Sequence, residues 1–401
     1  MLLVFAGGKQ AGIYSYRASE RVYSFTYTQN NPISIVMPPT ESVYISRYEM
    51  LPIFDQFMPE GWLYEVMVNH LRKRLGSITD YDVFKSLAPN IEGFLTFKLK
   101  GRRSAKSSLA LREVAIGDLV ENDTMDMFYE LVNAFLLKSS ISGVQPKVLV
   151  PVGEKALVEG EDYIVKTFGE QFPDLARNEY LCLKACERAG LPIPEITLSR
   201  HGRFIIVKKF TGPLGFEEFC TLLGRTSEGK YDGSYEGIAK ALGKVSSSPE
   251  EDLELLYKMV VMSFLLKNGD AHLKNFGVLY SSPTAGDTRL APTYDVVCTV
   301  VYIPSDTPAL TLFGRKVWHS RDKLMQFGEK ACLLSRRRAR ELFQECEEGV
   351  CWLKDSLSLS LREDPDDALA ANMLRVLEFS LLENLKRTYK ELPRGLELHW
   401  P

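Results

Sequence analysis

The sequence has no long hydrophobic run, no disulfide framework and no strong excess of either charge. No apolar stretch in its 401 residues approaches the roughly 18 that a helix needs to span a bilayer, so we expect no membrane association. Seven cysteines are an odd number without a pairing pattern, which favours a reducing cytoplasm. A net charge of −3 argues against a generally basic nucleic-acid-binding protein, although local basic patches stay possible.

The remaining composition, 45% apolar and 25% charged, excludes extensive disorder, and the length predicts two or three units. Predicted strands come first and helices later, which is the order of an α+β fold. We predict a small β-rich domain over 1–105, a lobe with strands over 106–213 and a helical lobe over 214–401. The second of these begins with a predicted helix over 123–137, and the third with a predicted helix over 216–223. A cleft is expected where the two lobes join.

The first domain is predicted from short strand patterns and turn signals. Gly7-Gly8 predicts a hairpin, Gly76 a helix end, and Thr79 with Asp82 a helix start. Charged and small residues at 100–108 mark its end. The predicted strands of this domain are 2–5, 22–27, 33–37 and 94–97.

The main chemical signal is the polar segment 268–275, Asn-Gly-Asp-Ala-His-Leu-Lys-Asn, between the apolar stretches 253–266 and 276–280. Buried polar groups are costly unless they have partners or a function. Asp270 and Asn275 have the spacing of the base and the metal ligand in a protein-kinase catalytic loop. Asp295 follows twenty residues after Asn275 and supplies a second acid. This set predicts phosphoryl transfer.

A nucleotide site is predicted upstream of this segment. Residues 138–147 contain one glycine where a Walker loop has two before the lysine, so this stretch alone reads as a turn between strands. A strand at 163–166 ends in Lys166, and the helix predicted over 177–189 begins near Glu179. The two side chains either fix the phosphates of ATP as a pair or are a solvated lysine and a helix-start acid.

Several blocks in the same order resemble the HipA-type serine/threonine kinases, the toxin half of bacterial toxin–antitoxin pairs. The resemblance covers nearly the whole chain and implies a two-lobed protein-kinase-like fold with the N-terminal subdomain fused. The matching blocks are Phe-Met-Pro-Glu-Gly at 57–61, Ser-Ile-Ser-Gly-Val-Gln-Pro-Lys at 140–147, 216–220, 230–235, 268–275, Ala-Pro-Thr-Tyr-Asp at 291–295 and 310–315.

The resemblance implies ATP and Mg²⁺ as cofactors and assigns roles to named residues. Asp270 would be the base, with His272 either orienting it or acting directly as acid or base. Lys274 would reach the γ-phosphate or pair with an acid. Asn275 and Asp295 would hold Mg²⁺. The residues implied for ATP binding are Ser142, Gly143, Val144, Gln145, Lys147, Lys166, Glu179, Lys208 and Phe210. Ser140 and Ser142 are the implied autophosphorylation sites. Lys208, Lys209 and Thr211 depart from the family pattern at the hinge.

The function implied is a serine/threonine protein kinase that inhibits growth by phosphorylating a translation component such as an aminoacyl-tRNA synthetase. A helix-turn-helix antitoxin would neutralise it and connect it indirectly to DNA. Two alternatives are a kinase-like scaffold that acts as co-repressor and a small-molecule kinase. The basic run Arg336–Arg340 is either a solvated helix face or a phosphate contact, and Cys182 and Cys186 are predicted core residues.

Overall fold

The computed structural model describes residues 1–101, 116–128, 147–152, 161–167, 171–382, 388–389, 398 and 400. The chain forms two compact units, and each contains more than one stretch of sequence. Unit 1 comprises Met1–Phe168, Glu195–Gly229 and Leu279–Thr288, and unit 2 comprises Gly169–Pro194, Lys230–Val278 and Arg289–Pro401. None of the described helices is both long and apolar enough to cross a membrane.

Unit 1 begins with a five-stranded antiparallel sheet of order β4-β3-β2-β1-β5. Gly7 and Gly8 adopt φ values of +54° and +76° in the turn between β1 and β2, which confirms the predicted hairpin. The strands are β1 (Leu2–Ala6), β2 (Lys9–Arg17), β3 (Val22–Tyr27), β4 (Val43–Arg47) and β5 (Leu95–Leu99).

Helices cover the inner face of this sheet. The stacked rings of Tyr14 and Phe54, 3.8 Å apart, are central to its aromatic core. Thr79 and Asp82 form the predicted capping box, and Gly76 ends the preceding helix with φ +77°. The helices are Pro52–Asp55, Gly61–Leu75 and Asp80–Leu87, followed by a 3-10 turn at Ala88–Asn90.

The predicted strand at 33–37 is wrong, because this segment forms turns around a buried carboxylate. Glu217 accepts hydrogen bonds from Ser34 Oγ (2.7 Å), Ile35 N (2.8 Å) and Tyr280 Oη (2.6 Å). The backbone amide of Ile35 therefore serves a side chain rather than a sheet. Glu217 itself lies in a strand, β10 (Gly215–Glu218), so the helix predicted from residue 216 onward begins only at Phe219.

A second antiparallel sheet in unit 1 has the order β6-β7-β9-β8. Its strands are β6 (Lys147–Val152), β7 (Glu161–Lys166), β8 (Ile196–Leu198) and β9 (Ile205–Lys208). Short helices occupy Ile116–Glu121 and Phe219–Leu222. Of the helix predicted over 123–137, residues 125–128 are helical and 129–137 lie outside the described residues, as does the domain boundary predicted near 105.

Unit 2 is mainly helical. Its longest helix, Arg336–Glu363, packs on Leu175–Arg188, Pro249–Leu265 and Ala368–Leu382. A Cβ at Gly349 would lie 2.5 Å from the Ala185 carbonyl oxygen, so this close approach requires glycine. The remaining described helices are Tyr235–Val245 and Arg321–Lys330, with 3-10 turns at Leu273–Asn275 and Thr299–Val301. Two short strands are β11 (Gly277–Tyr280), whose last two residues belong to unit 1, and β12 (Arg289–Leu290). The mixed fold with a sheet-rich N-terminal region confirms the predicted α+β class.

Two smaller predictions also concern unit 2. Cys182 and Cys186 are fully buried among apolar side chains, as expected of core residues. In the basic run, Arg337 is exposed beside Glu341, and Arg338 makes a two-pronged ion pair with Glu254 at 2.7 Å for each bond. These acidic partners favour the solvated helix face over a phosphate contact.

Candidate active site

The polar segment 268–275 starts where the most deeply buried helix of unit 2 ends. That helix, Pro249–Leu265, is apolar on nearly all sides because it lies inside the helical unit. Lys267 then adopts φ +57° and turns the chain, while its Nζ donates to the Phe264 carbonyl at 2.7 Å. The amide of Asn268 donates to the Ser263 carbonyl at 2.8 Å. The segment is thereby fixed to a rigid support.

Asp270 presents a half-exposed carboxylate, with 49% of the side chain accessible. Its Oδ1 accepts a hydrogen bond from Tyr231 Oη at 2.8 Å, and its amide donates to Asn268 Oδ1 at 3.1 Å. The pKa of Asp270 is raised to about 6, chiefly by burial and to a smaller extent by Asp295 and Asp306, against the lowering effects of Tyr231 and Lys230. The accessible oxygen and this pKa suit a general base near neutral pH.

His272 is buried beside this carboxylate but does not bind it directly. Its Nε2 lies 4.0 Å from Asp270 Oδ1, beyond hydrogen-bond distance, and its ring meets the Tyr231 ring edge-on at 5.2 Å. The His272 amide donates to the Asp270 carbonyl at 2.8 Å. This geometry is that of a residue that packs the loop and the tyrosine, which supports the orienting alternative over direct proton transfer.

Lys274 and Asn275 bring the segment against the chain around Asp295. Tyr294 Oη donates to the Lys274 carbonyl at 2.8 Å, and Asn275 Nδ2 donates to the Asp295 carbonyl at 3.2 Å. Asp295 has φ +53°, a left-handed conformation that aspartate tolerates and that is common at functional positions. Two hydrogen bonds therefore join positions 274–275 to positions 294–295.

The Asn275 amide supplies the test of whether these residues fit a magnesium ion. Its nitrogen is engaged, while Asn275 Oδ1 is buried and has no hydrogen-bond partner among the described residues. A buried amide oxygen without a donor is costly, and a hard cation satisfies it. The described residues hold no group of three His, Cys, Asp or Glu side chains suited to a metal. Mg²⁺ is usually held by one or two carboxylates together with substrate phosphates, and the hydrogen bond from Asn275 to the Asp295 carbonyl brings one acidic residue next to this amide.

Three other residues of unit 2, Thr299, Asp306 and Tyr235, contact the backbone on either side of Asp270. A Cβ at Gly269 would lie 2.0 Å from Asp306 Oδ2 and 2.8 Å from Thr299 Oγ1, so a larger residue would have to displace both side chains. The Gly269 amide donates to Thr299 Oγ1 at 2.8 Å. On the other side, Tyr235 Oη donates to the Ala271 carbonyl at 3.2 Å. Asp270 is thus held through the backbone on both sides.

The predicted ATP-binding residues are only partly within the described chain. Lys166 ends β7 and is buried, with Lys147 opposite it in the register of β6. Glu179 is buried in the helix Leu175–Arg188. It belongs to a different unit from Lys166, so their pairing stays a prediction.

The remaining predicted ATP-binding and autophosphorylation residues lie at the hinge, Lys208 and Phe210, and in the serine loop 140–145. Lys208 ends β9, with its Nζ 3.6 Å from Glu195 Oε2. The Phe210 ring contacts the Phe216 ring, with centroids 5.9 Å apart. Ser140, Ser142, Gly143, Val144 and Gln145 lie outside the described residues.

The sequence prediction missed the role of Tyr231. It lies 39 positions before Asp270, and no periodic pattern connects the two. The block 230–235, one of the blocks that resemble the HipA-type kinases, is the sequence signal that could have indicated it. The structure shows why the block sits there: the Leu273 amide donates to the Lys230 carbonyl at 3.1 Å, which places Tyr231 beside the carboxylate.

The fold and the site together define a mixed helix-and-sheet protein of the kind solved for a bacterial toxin. The chain is similar to HipA of Shewanella oneidensis MR-1, solved with HipB and operator DNA, with a TM-score of 0.67 and 16% identity over 94% of this chain and 97% of that chain. The model of the HipA-like C-terminal domain matches residues 139–351, and that of the HipA N-terminal domain matches 2–98. The chain therefore belongs to the HipA family, with both domains in one polypeptide.

Two curated relatives come from Sinorhizobium fredii, and their names assign them provisionally as kinases. Y4dM is 26% identical over 310 residues, which cover 70% of this chain and 70% of Y4dM. Y4mE is 29% identical over 361 residues, which cover 82% of this chain and 84% of Y4mE. Both similarities extend well beyond a single motif.

Proposed function

We propose that this chain is an ATP- and Mg²⁺-dependent serine/threonine protein kinase, the toxin of a toxin–antitoxin pair. The observation that carries the proposal is the arrangement around Asn275. Asn275 has a buried oxygen without a hydrogen-bond partner and donates through Nδ2 to the Asp295 carbonyl, and five residues earlier in the same loop Asp270 presents an accessible carboxylate. Family membership and kinase-named relatives support the same reading.

In the proposed reaction, Asp270 accepts the proton of a substrate serine or threonine hydroxyl. The hydroxyl oxygen forms a bond to the γ-phosphorus of ATP as the bond from that phosphorus to the β-phosphate oxygen breaks. Tyr231 orients the carboxylate through its hydrogen bond. Asn275 and Asp295 would hold Mg²⁺, which supplies charge neutralisation for the phosphates. Lys166 is assigned to phosphate neutralisation by the family resemblance.

The partners and the regulation rest on the family. The similar Shewanella structure contains HipB and operator DNA. By analogy, we propose that a helix-turn-helix antitoxin neutralises this chain, that DNA is contacted through the antitoxin, and that the target is a translation component such as an aminoacyl-tRNA synthetase. Autophosphorylation at Ser140 or Ser142 would add about −1.5 to −2 charge to the proposed ATP loop, which disfavours nucleotide binding.

The decisive experiment incubates the purified protein with ATP and Mg²⁺ and maps phosphate by mass spectrometry. Wild type is expected to gain phosphate on Ser140, Ser142 or an added protein substrate. Asp270→Asn should not, because it removes the base. Asp366→Asn, an exposed acid elsewhere in unit 2, is the matched control and should retain activity. A wild type that neither binds ATP nor transfers phosphate would refute the kinase and favour the scaffold alternative.

A further inference from the structure

Segment 293–302, which carries Asp295, is held on two sides by other parts of unit 2. On one side, Asn275 Nδ2 donates to the Asp295 carbonyl at 3.2 Å. On the other side, the segment bonds to the helix Leu175–Arg188 and to the residues that flank this helix. Between these contacts Asp295 keeps its left-handed φ of +53°. A non-glycine residue persists in that conformation where its surroundings hold it there.

Asn178 makes the central contact from the helix. Its side chain is fully buried, and its amide bonds both backbone groups of one residue. The Cys298 amide donates to Asn178 Oδ1 at 2.9 Å, and Asn178 Nδ2 donates to the Cys298 carbonyl at 3.1 Å. A neighbouring antiparallel strand would supply the same pair of bonds. The Cys182 thiol also donates to Oδ1 and Nδ2 also donates to Tyr302 Oη, both at 3.4 Å, so the oxygen and the nitrogen of Asn178 each have two partners.

Two further hydrogen bonds fix the ends of segment 293–302. The Thr293 amide donates to the Pro192 carbonyl at 2.8 Å, and Tyr302 Oη donates to the Pro173 carbonyl at 2.9 Å. Asp295 therefore lies between two anchored positions, with Thr293 two residues before it and Cys298 three residues after it. A short stretch between fixed ends has few backbone conformations, so these anchors restrict the backbone of Asp295.

We propose that Asn178 is a positioning residue for the metal site at Asn275 and Asp295, an inference that rests on the proposed kinase function. Asn178 acts through the Cys298 backbone, and through it the helix that carries Glu179 holds the segment that carries Asp295. Without this clamp, segment 293–302 presents Asp295 correctly only part of the time. The apparent affinity for a ligand falls by the fraction of the protein that is competent to bind, so metal binding weakens.

Calorimetric titration of the full chain with AMP-PNP, a non-hydrolysable ATP analogue, measures the metal site without phosphate transfer. In wild type, Mg²⁺ should strengthen AMP-PNP binding relative to binding in EDTA. Asn178→Leu is close to asparagine in size and removes every hydrogen bond of the amide. It should raise the Mg²⁺ concentration that gives half of this strengthening about tenfold. AMP-PNP affinity in EDTA should not change, whereas a general loss of packing would lower it too.

Arg177→Leu is the matched control for this experiment. Arg177 is the neighbour of Asn178 on the same helix, but its Nη2 bonds Asp367, which lies outside segment 293–302. This variant should lose stability and keep the wild-type Mg²⁺ requirement. A normal Mg²⁺ effect in wild type with an unchanged requirement in Asn178→Leu overturns the role of Asn178 alone. A wild type in which Mg²⁺ has no effect overturns the metal site and the kinase proposal together.

Asn178→Asp tests the hydrogen bonds separately from the fold, and it also serves if Asn178→Leu is too unstable to titrate. A protonated carboxyl has the shape of the amide and can still accept from the Cys298 amide and donate to its carbonyl, whereas a carboxylate has no donor. Burial should raise the pKa of the introduced carboxyl. The Mg²⁺ requirement, relative to wild type at the same pH, should therefore be closer to normal at pH 6 than at pH 8.5. A requirement that does not depend on pH overturns the clamp.

The groups around position 178 leave this pH dependence readable. Burial raises the pKa values of Cys182, Cys298 and Tyr302, so all three stay neutral through pH 8.5. The nearby acids raise these values as well, Glu179 at Cys182 and Asp174 at Tyr302. Burial lowers the pKa of Lys267, which interacts with Cys298, to about 7. This lysine titrates in wild type too, and the comparison at equal pH removes its contribution.

Discussion

Removing the hydroxyl of Tyr231 should change the acidity of Asp270 and leave the rest of the site in place. Tyr231 Oη donates to Asp270 Oδ1 at 2.8 Å, and this bond favours the ionised carboxylate. A hydrogen bond to a charged group contributes about 1.5–3 kcal/mol when it is shielded. Because Asp270 is half-exposed, water replaces part of the lost bond, so we take about 0.5–1 kcal/mol for Tyr231→Phe.

This free energy converts into a shift of the pH profile. At 1.36 kcal/mol per pKa unit, the pKa of Asp270 should rise from about 6 by about half a unit. A general base works when it is deprotonated, so activity is lost as the pH falls through this pKa, and the higher pKa moves the loss to higher pH. Phosphate transfer at pH 6 should fall about twofold relative to wild type, with little change at pH 8.

The assay is the rate of phosphate transfer from labelled ATP between pH 5 and 8.5. Tyr64→Phe is the matched control, because Tyr64 Oη also donates to an aspartate, Asp80 Oδ1 at 2.7 Å, but in the N-terminal domain. Its pH profile should match that of wild type. An acidic limb that does not move in Tyr231→Phe, or a rate that falls equally at every pH, would refute the assigned role of the tyrosine.

Three further outcomes are expected. Gly269→Ala places a Cβ 2.0 Å from Asp306 Oδ2. It should therefore abolish phosphate transfer and lower the unfolding free energy, measured by denaturant titration, by about 1–3 kcal/mol. Gly117→Ala, which has open space around it, should change neither quantity. Asn275→Ala should increase the Mg²⁺ concentration needed for half-maximal transfer at least tenfold, and an unchanged requirement would remove Asn275 from the metal site. Glu217→Ala strands three buried donors and should cost about 2–4 kcal/mol in the same unfolding assay, and a near-neutral effect would contradict the packing described.

Glu217 also gives a stability trend with pH. Burial raises its pKa above the usual value for glutamate, against the lowering effect of its three hydrogen bonds. A carboxyl whose folded pKa is raised contributes stability below its unfolded pKa, near 4.3, and loses that stability as the pH rises through the folded value. Glu217→Gln should therefore flatten the fall in unfolding free energy on the alkaline side of that range. An unchanged slope would mean that the three donors fully compensate the burial.

The features that the sequence predicts are those determined by residues close together in the chain. Gly7-Gly8, the capping box at Thr79 and the loop from Asp270 to Asn275 are specified by residues that are neighbours in the chain. Their physical reasons are short-range: a left-handed turn, a helix end with exposed amides and a polar cluster between buried elements. The sequence alone predicts these features.

The two wrong predictions, a strand at 33–37 and a helix from residue 216, failed because contacts distant in sequence determine the structure there. Residues 33–37 have strand-like composition, but the Ile35 amide and the Ser34 hydroxyl donate to Glu217, which lies more than 180 positions away. The segment at 216–218 is apolar and acidic in a helical pattern, yet it is extended as β10. A Cβ at Gly215, the first residue of β10, would lie 2.0 Å from the Tyr280 ring. Tertiary contacts overrode local preference in both cases, as β propensity commonly allows.

The candidate site combines both kinds of cause, because its polar residues are evident in the sequence and the acidity of Asp270 is not. Asp270 and Asn275 share one loop, so their spacing alone indicated the chemistry. The acidity of Asp270 depends instead on Tyr231, Asp295 and Asp306, which arrive from three other parts of the chain. Burial and two acids raise its pKa, while one hydroxyl and one lysine lower it. A pKa near 6 at Asp270 is therefore a property of the folded unit, and no spacing within the loop encodes it.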